Sequence, residues 1–152
     1  NGEGRHPLYA ELTEAADALF PQGYGELARH LVTEVKDSVG TAQTEAIFRR
    51  VAERVAEEAP PPVEGQTFEE RLDQVVDFLQ EQGFLSRWEK NNEGYVLVNV
   101  NCPYRRVSQH HGEVCLLDTE LIRRLLGVEP RREDSMAAGG ASCRYLVVPP
   151  NG

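Results

Sequence analysis

The chain has 152 residues, 27% of them charged and 40% hydrophobic, with a net charge of −9 at pH 7. That length suits one soluble domain able to build a core without disulfide staples, and no apolar run approaches the roughly 20 residues needed to cross a bilayer. Up to Gly83 the chain carries 7 Lys and Arg against 17 Asp and Glu, whereas from Phe84 onward 9 basic residues face 8 acidic ones. The acidic first half repels a phosphate backbone, which makes the chain as it stands a poor nucleic-acid binder. Asn1 to Leu8 lack the basic start, apolar stretch and small-residue cleavage site of an export signal, so a cytoplasmic protein with no membrane partner is expected.

A helix is expected after Thr13, which can cap it, until Pro21 interrupts. A second should begin near Gly23, with Leu27, Leu31, Val35 and Val39 recurring every four residues and Gly40 as its stop. In a third, Ala46, Ile47, Val51, Ala52 and Val55 form an apolar stripe opposite Arg49, Arg50, Glu53, Arg54 and Glu57. These early stripes read most simply as core; one left uncovered would dimerise. Pro60, Pro61 and Pro62 forbid further helix, and Thr67 with Glu70 forms a capping box for a fourth, which turns Phe68, Leu72, Val75, Val76 and Leu79 inward and ends at Gly83.

After Gly83 the apolar period changes to two. Phe84 to Glu89 reads as a strand, Asn91 to Gly94 as a turn, and Tyr95 to Val100 as a second strand with Tyr95, Leu97 and Asn99 on one face. Pro103 suits the first position of a helix, which puts Cys102 at a helix N-terminus. A further helix over about Glu113 to Leu126 stops at Gly127, and Glu129 to Met136 with Ser142 to Val148 form a last hairpin around Gly139 and Gly140. The expected class is α+β: N-terminal helices, then a small antiparallel sheet with helices inserted between two hairpins.

Cys102, Cys115 and Cys143 are the candidate ligands. Three cysteines cannot all pair within one chain, and in a reducing compartment they serve as thiols or metal ligands. Metal and iron-sulfur sites need thiolates, which a helix N-terminus favours. The two gaps do not resemble the short knuckle of structural zinc sites, and isolated cysteines are often small buried hydrophobes.

The runs Asn101-Cys102-Pro103-Tyr104, His110-His111-Gly112-Glu113-Val114-Cys115-Leu116-Leu117-Asp118, Leu121-Ile122-Arg123-Arg124-Leu125-Leu126-Gly127 and Ser142-Cys143-Arg144-Tyr145 occur in order. Together they resemble the sensor half of SufR-like transcriptional regulators, winged-helix repressors of iron-sulfur assembly genes that hold a cluster on cysteines. Near the other end, Gly4-Arg5-His6-Pro7, Tyr9, Leu12-Thr13-Glu14-Ala15 and Asp17-Ala18-Leu19-Phe20-Pro21 are similar to the last wing strand and linker helix of that family.

The resemblance implies a remnant of the wing and linker over residues 1–21 and a sensor and dimerisation domain over 22–152. It also implies a 4Fe-4S cluster on Cys102, Cys115 and Cys143, a homodimer, and operator binding by the cluster-loaded form. The family's recognition helix would lie before Asn1, so DNA would be reached only through a winged-helix domain missing from this sequence, and no DNA-binding residue is assigned. The chain departs from the family in its wing, where His6 precedes Pro7, and in having Glu129 where cluster-binding members carry a further cysteine. The fourth iron ligand is then open among His111, His110, Glu129, solvent or a small thiol, with His111 the candidate because helical spacing would align it with Cys115.

Two other readings compete. The same scaffold, without a cluster, could hold an apolar small molecule between helices and sheet. Alternatively Cys115 and His111 could form a nucleophile pair, although no orienting group or oxyanion-forming loop accompanies them; no enzyme is expected. Arg105-Arg106, Arg123-Arg124 and Arg131-Arg132 could offset a cluster's negative charge or form a solvated face, and Trp88, Tyr95, Tyr104 and Tyr145 read as packing aromatics.

Overall fold

The computed structural model describes residues 23–150; the helix expected after Thr13 and the wing and linker remnant assigned to residues 1–21 lie outside them. Helix α1 (Tyr24–Glu57) is two helices joined at Gly40, whose φ of 83° and ψ of 171° interrupt the helical path. Those angles belong to a region open essentially to glycine alone. Gly40 thus stops one helix, the first arm over 24–39, and a second arm follows over 41–57, as the spacing predicts. Buried Thr44 closes the bend by donating its hydroxyl to the Gly40 carbonyl at 2.8 Å.

The three prolines lead to α2 (Phe68–Glu81), which starts with the expected capping box: Glu70 N donates to Thr67 Oγ1 at 3.1 Å and Thr67 N donates to Glu70 Oε2 at 2.8 Å. Its buried Leu72, Val75, Phe78 and Leu79 give the inward stripe. Arg71 lies across the junction, donating to the carbonyls of Pro60 at 2.8 Å and Leu125 at 3.0 Å.

Strand β1 (Ser86–Lys90) begins two residues later than expected. Phe84 is still completing the turn after α2, donating its amide to the Leu79 carbonyl while its ring sinks into the core. β1 pairs antiparallel with β2 (Tyr95–Asn99). A one-turn helix, α3 (Arg105–Ser108), and a 3-10 turn over Gly112–Val114 lead into α4 (Cys115–Leu126), which ends on left-handed Gly127. β3 (Arg131–Asp134) and β4 (Cys143–Val147) form the second hairpin, and β4 inserts beside β2 to give the antiparallel order β1-β2-β4-β3. The architecture is thus α+β, helices first and then a sheet with helices between its hairpins.

Both α2 and α4 cover one face of the sheet. Leu72, Val75, Leu79, Leu97, Leu121, Ile122, Tyr145 and Val147 close a continuous core there. Ala52 joins it from the second arm of α1, with Phe48 and Val55 packed alongside. On the opposite face Val96, Val98 and Leu146 form a small second cluster, flanked in register by Arg87, Glu89, Arg131 and Arg144.

The first arm departs from the expected core reading. Leu27, Leu31 and Val39 are about half exposed; half-buried Val32 and Val35, with Leu31, line a small apolar cavity with Thr44, Ile47 and Phe48 of the second arm, while polar side chains dock the arm on the segment before α4. Glu26 pairs with Arg106 at 3.5 Å, Thr33 meets His111 at 2.8 Å and Lys36 pairs with Glu113 at 2.5 Å. The arm thus meets the second arm through valines and the segment before α4 through polar side chains, with Leu27, Leu31 and Val39 left half exposed. Periodicity finds such a stripe but does not say what it faces.

A Cβ at Gly40 would meet no atom within 4 Å, so the penalty for Gly40→Ala is purely backbone strain. The variant is expected to lose about 1–3 kcal/mol of stability, read as a lower urea midpoint with an unchanged slope.

Candidate metal centre

The three cysteines arrive from three different elements. Cys143 opens β4 and lies in register with Asn99, the last residue of β2; the chain leaving β2 reaches Cys102 three residues on. Cys115 is the first residue of α4. All three line one cavity of about 330 Å³, together with Arg105, Asp118 and Met136 among others. Cys143 Sγ accepts a hydrogen bond from the Met136 amide at 3.4 Å, which fixes the start of β4 against the turn that follows β3.

The expected activation of Cys102 by a helix N-terminus does not occur, because α3 is a single turn. Burial, and then the nearby Asp118 charge, push the Cys102 thiol up to about 11, against a smaller opposing pull from the Tyr104 backbone amide. Cys115 is raised for the same two reasons, with Arg132 pulling it partly back. In the metal-free chain Cys102 and Cys115 are therefore held as thiols; a metal ion reverses that preference by replacing the proton.

Asp118 is the residue the sequence reading passed over. It is 4% exposed and lines the cavity, and its Oδ1 is buried with no hydrogen-bond partner. Burial lifts its carboxyl to about 7 against a modest opposing pull from Arg132. Its charge also raises Tyr104 to about 12 and contributes to raising Tyr145. The signal was present in the sequence: Asp118 interrupts the apolar stripe of Val114, Leu121 and Leu125 and stands three residues after Cys115, hence on the same helical face.

The other proposed fourth ligands stand elsewhere. His111 is buried but does not line the cavity; its Nε2 faces Thr33 Oγ1 at 2.8 Å on the side of α1. It does not form a pair with Cys115, whose raised thiol is the opposite of an activated nucleophile. His110 is exposed, and Glu129 is exposed and 3.9 Å from Arg123. Among the paired arginines, Arg105 lines the cavity and Arg132 acts on Cys115 and Asp118. Arg106, Arg123, Arg124 and Arg131 form ion pairs with glutamates. The aromatics pack: Trp88 meets Tyr95 edge-on at 5.6 Å and Tyr104 meets Phe84 at 5.8 Å.

Among the described residues no three His, Cys, Asp or Glu side chains surround a single ion position. That geometry is what a mononuclear site requires, with every sulfur about 2.3 Å from one zinc. A cluster takes each thiolate on a different iron and so accepts donors spread around a larger cavity. The three soft donors around one cavity and the unpartnered Asp118 Oδ1 fit such a group. No known protein family matches the chain, and no curated protein does. Among the described residues no helix is long and apolar enough to cross a membrane.

The buried acid gives the metal-free chain a defined pH dependence. Asp118 keeps its proton up to about 7 in the folded state, against an ordinary value of 3.8. Between those values the native state binds more protons than the unfolded one, so stability falls as pH rises through the window. Arg132 is the cation acting on this group, and Cys102, Cys115, Tyr104 and Tyr145 are the titratable groups around it. In urea unfolding, Asp118→Asn should match the native chain only below about pH 4, gain on it steadily as pH rises to about 7, and hold that margin at about pH 8.

Proposed function

We propose that the chain is the sensor and dimerisation domain of a transcriptional regulator of the SufR-like kind, in which Cys102, Cys115 and Cys143 bind an iron-sulfur cluster. The observation that carries this reading is the meeting of three sequence-distant thiols in one cavity beside a buried acid without a partner. The 4Fe-4S form, the repression of cluster-assembly genes and a cytoplasmic setting follow from the resemblance. DNA would be contacted through the winged-helix domain that the resemblance puts before Asn1. The domain itself performs no turnover in this reading.

A route for the signal exists in the polar seam. The segment from Cys102 to Cys115 carries two of the three thiols, and the same segment holds the first arm of α1 through Arg106, His111 and Glu113. Gaining or losing a cluster resets this segment and so biases the arm about Gly40. The outward stripe of Leu27, Leu31 and Val39 on that arm suits a second copy of the chain, and two-fold symmetry matches paired operator half-sites. The arm then links cluster state to the spacing of two DNA readers.

The cavity suits an apolar small molecule poorly, since thiols, Arg105 and an unpartnered carboxyl line it. Anaerobic reconstitution with iron and sulfide should give a brown, air-sensitive protein. Replacing any one of Cys102, Cys115 or Cys143 with serine should remove most of the visible absorption, whereas His111→Ala should keep it. A colourless, well-folded native chain that takes up no iron sinks the proposal and favours the small-molecule pocket. Thiol profiling of the metal-free protein should find Cys102 and Cys115 slower than free cysteine; a single fast thiol would point instead to a nucleophilic enzyme. In sedimentation, Leu27→Glu with Leu31→Glu should convert a dimer to a monomer of unchanged helix content.

A further inference from the structure

We propose that Asp118 is the fourth protein ligand of this centre, so that the cluster rests on three thiolates and one carboxylate. The assignment rests on the cluster reading above and extends it to the residue that completes the set. Four observations converge on this side chain. It lines the same cavity as the three thiols. It is 4% exposed, and its Oδ1 has no hydrogen-bond partner. It shares a face of α4 with Cys115, three residues away.

An unpartnered acid in a core is a costly feature, and a buried carboxyl is ordinarily paired, hydrogen-bonded or bound to a metal. The cations near Asp118 do not meet that need: Arg132 is exposed and only partly offsets the effect of burial, and Arg105 is exposed at the cavity wall. Of the other oxygen and nitrogen donors, Gln109 lines the cavity but is exposed, and the rest are engaged or distant. Ser108 Oγ donates to the Arg105 carbonyl at 3.2 Å, His111 faces Thr33, and Glu129 is exposed beside Arg123. On coordination the carboxylic proton passes to solvent as the oxygen–iron bond forms, with no change in oxidation state.

A carboxylate is a harder donor than a thiolate and holds cluster iron less firmly. One iron of the four is thereby distinguished from its neighbours and becomes the first to leave. Three cysteines and an aspartate make a centre that loses iron more readily than one built on four cysteines.

The test is anaerobic reconstitution of the whole chain and of Asp118→Ala and Asp118→Cys, with iron and acid-labile sulfide counted per chain and the visible circular dichroism recorded. The native chain should bind about four irons, Asp118→Ala about three with sulfide unchanged, and Asp118→Cys about four again with slower loss to a chelator. An Asp118→Ala protein with the native iron count and spectrum overturns the ligand assignment while leaving the cluster reading intact. Loss of all iron in Asp118→Ala with no recovery in Asp118→Cys assigns the residue a merely structural role and also overturns it. A native chain that takes up neither iron nor sulfide removes the cluster reading and this inference together. Far-ultraviolet circular dichroism of the metal-free proteins checks folding, which removal of a buried unpaired acid should not impair.

Discussion

The centre of this molecule is an electrostatic conflict: a carboxyl group buried among thiols, with one oxygen left unpartnered and only a partial counterweight from Arg132. Burial of any charge in this space is unfavourable, and each negative group makes the next harder to ionise. That is why Cys102, Cys115, Tyr104 and Tyr145 are all raised together. Cys102 and Cys115 are accordingly held as thiols in the metal-free cavity. A metal ion would displace the protons of Cys102 and Cys115, whereas their raised values work against nucleophilic attack.

The surrounding fold serves to bring the groups together. Pairing of β2 with β4 sets Cys143 beside the exit of β2, where Cys102 follows, and the stop of the 3-10 turn sets Cys115 at the head of α4. The hydrophobic core beneath α2 and α4 holds these ends in place, and Cys143 is itself part of that core. The same Cys102-to-Cys115 segment grips the first arm of α1 through charged and hydrogen-bonded side chains. Polar seams of this kind re-pair at smaller free-energy cost than a dry core, so the arm is the part of the domain best suited to respond. Leu27, Leu31 and Val39 of the arm are left half exposed.

Much of the fold was legible because it depends on local rules. The Thr67-Glu70 box, the three prolines, the alternation of β2 and the Gly127 stop each act within a few residues, and each appears where the sequence puts it. Gly40 was legible as the break between two helices, because its backbone angles are open essentially to glycine alone. Phe84 was less legible: its strand-like pattern lost to a tertiary demand, the filling of the core next to α2.

The sequence alone determined the class of the fold and the order of its elements, since periodicity and capping are properties of the residues themselves. Only the tertiary structure decided that the three cysteines share a cavity, that Asp118 joins them and His111 does not, and that the first arm faces its leucines outward. Each of these is a matter of which surfaces meet across tens of residues. Helical spacing aligns side chains on one helix, but what stands opposite that face is set by strand register and core packing, which no local pattern encodes.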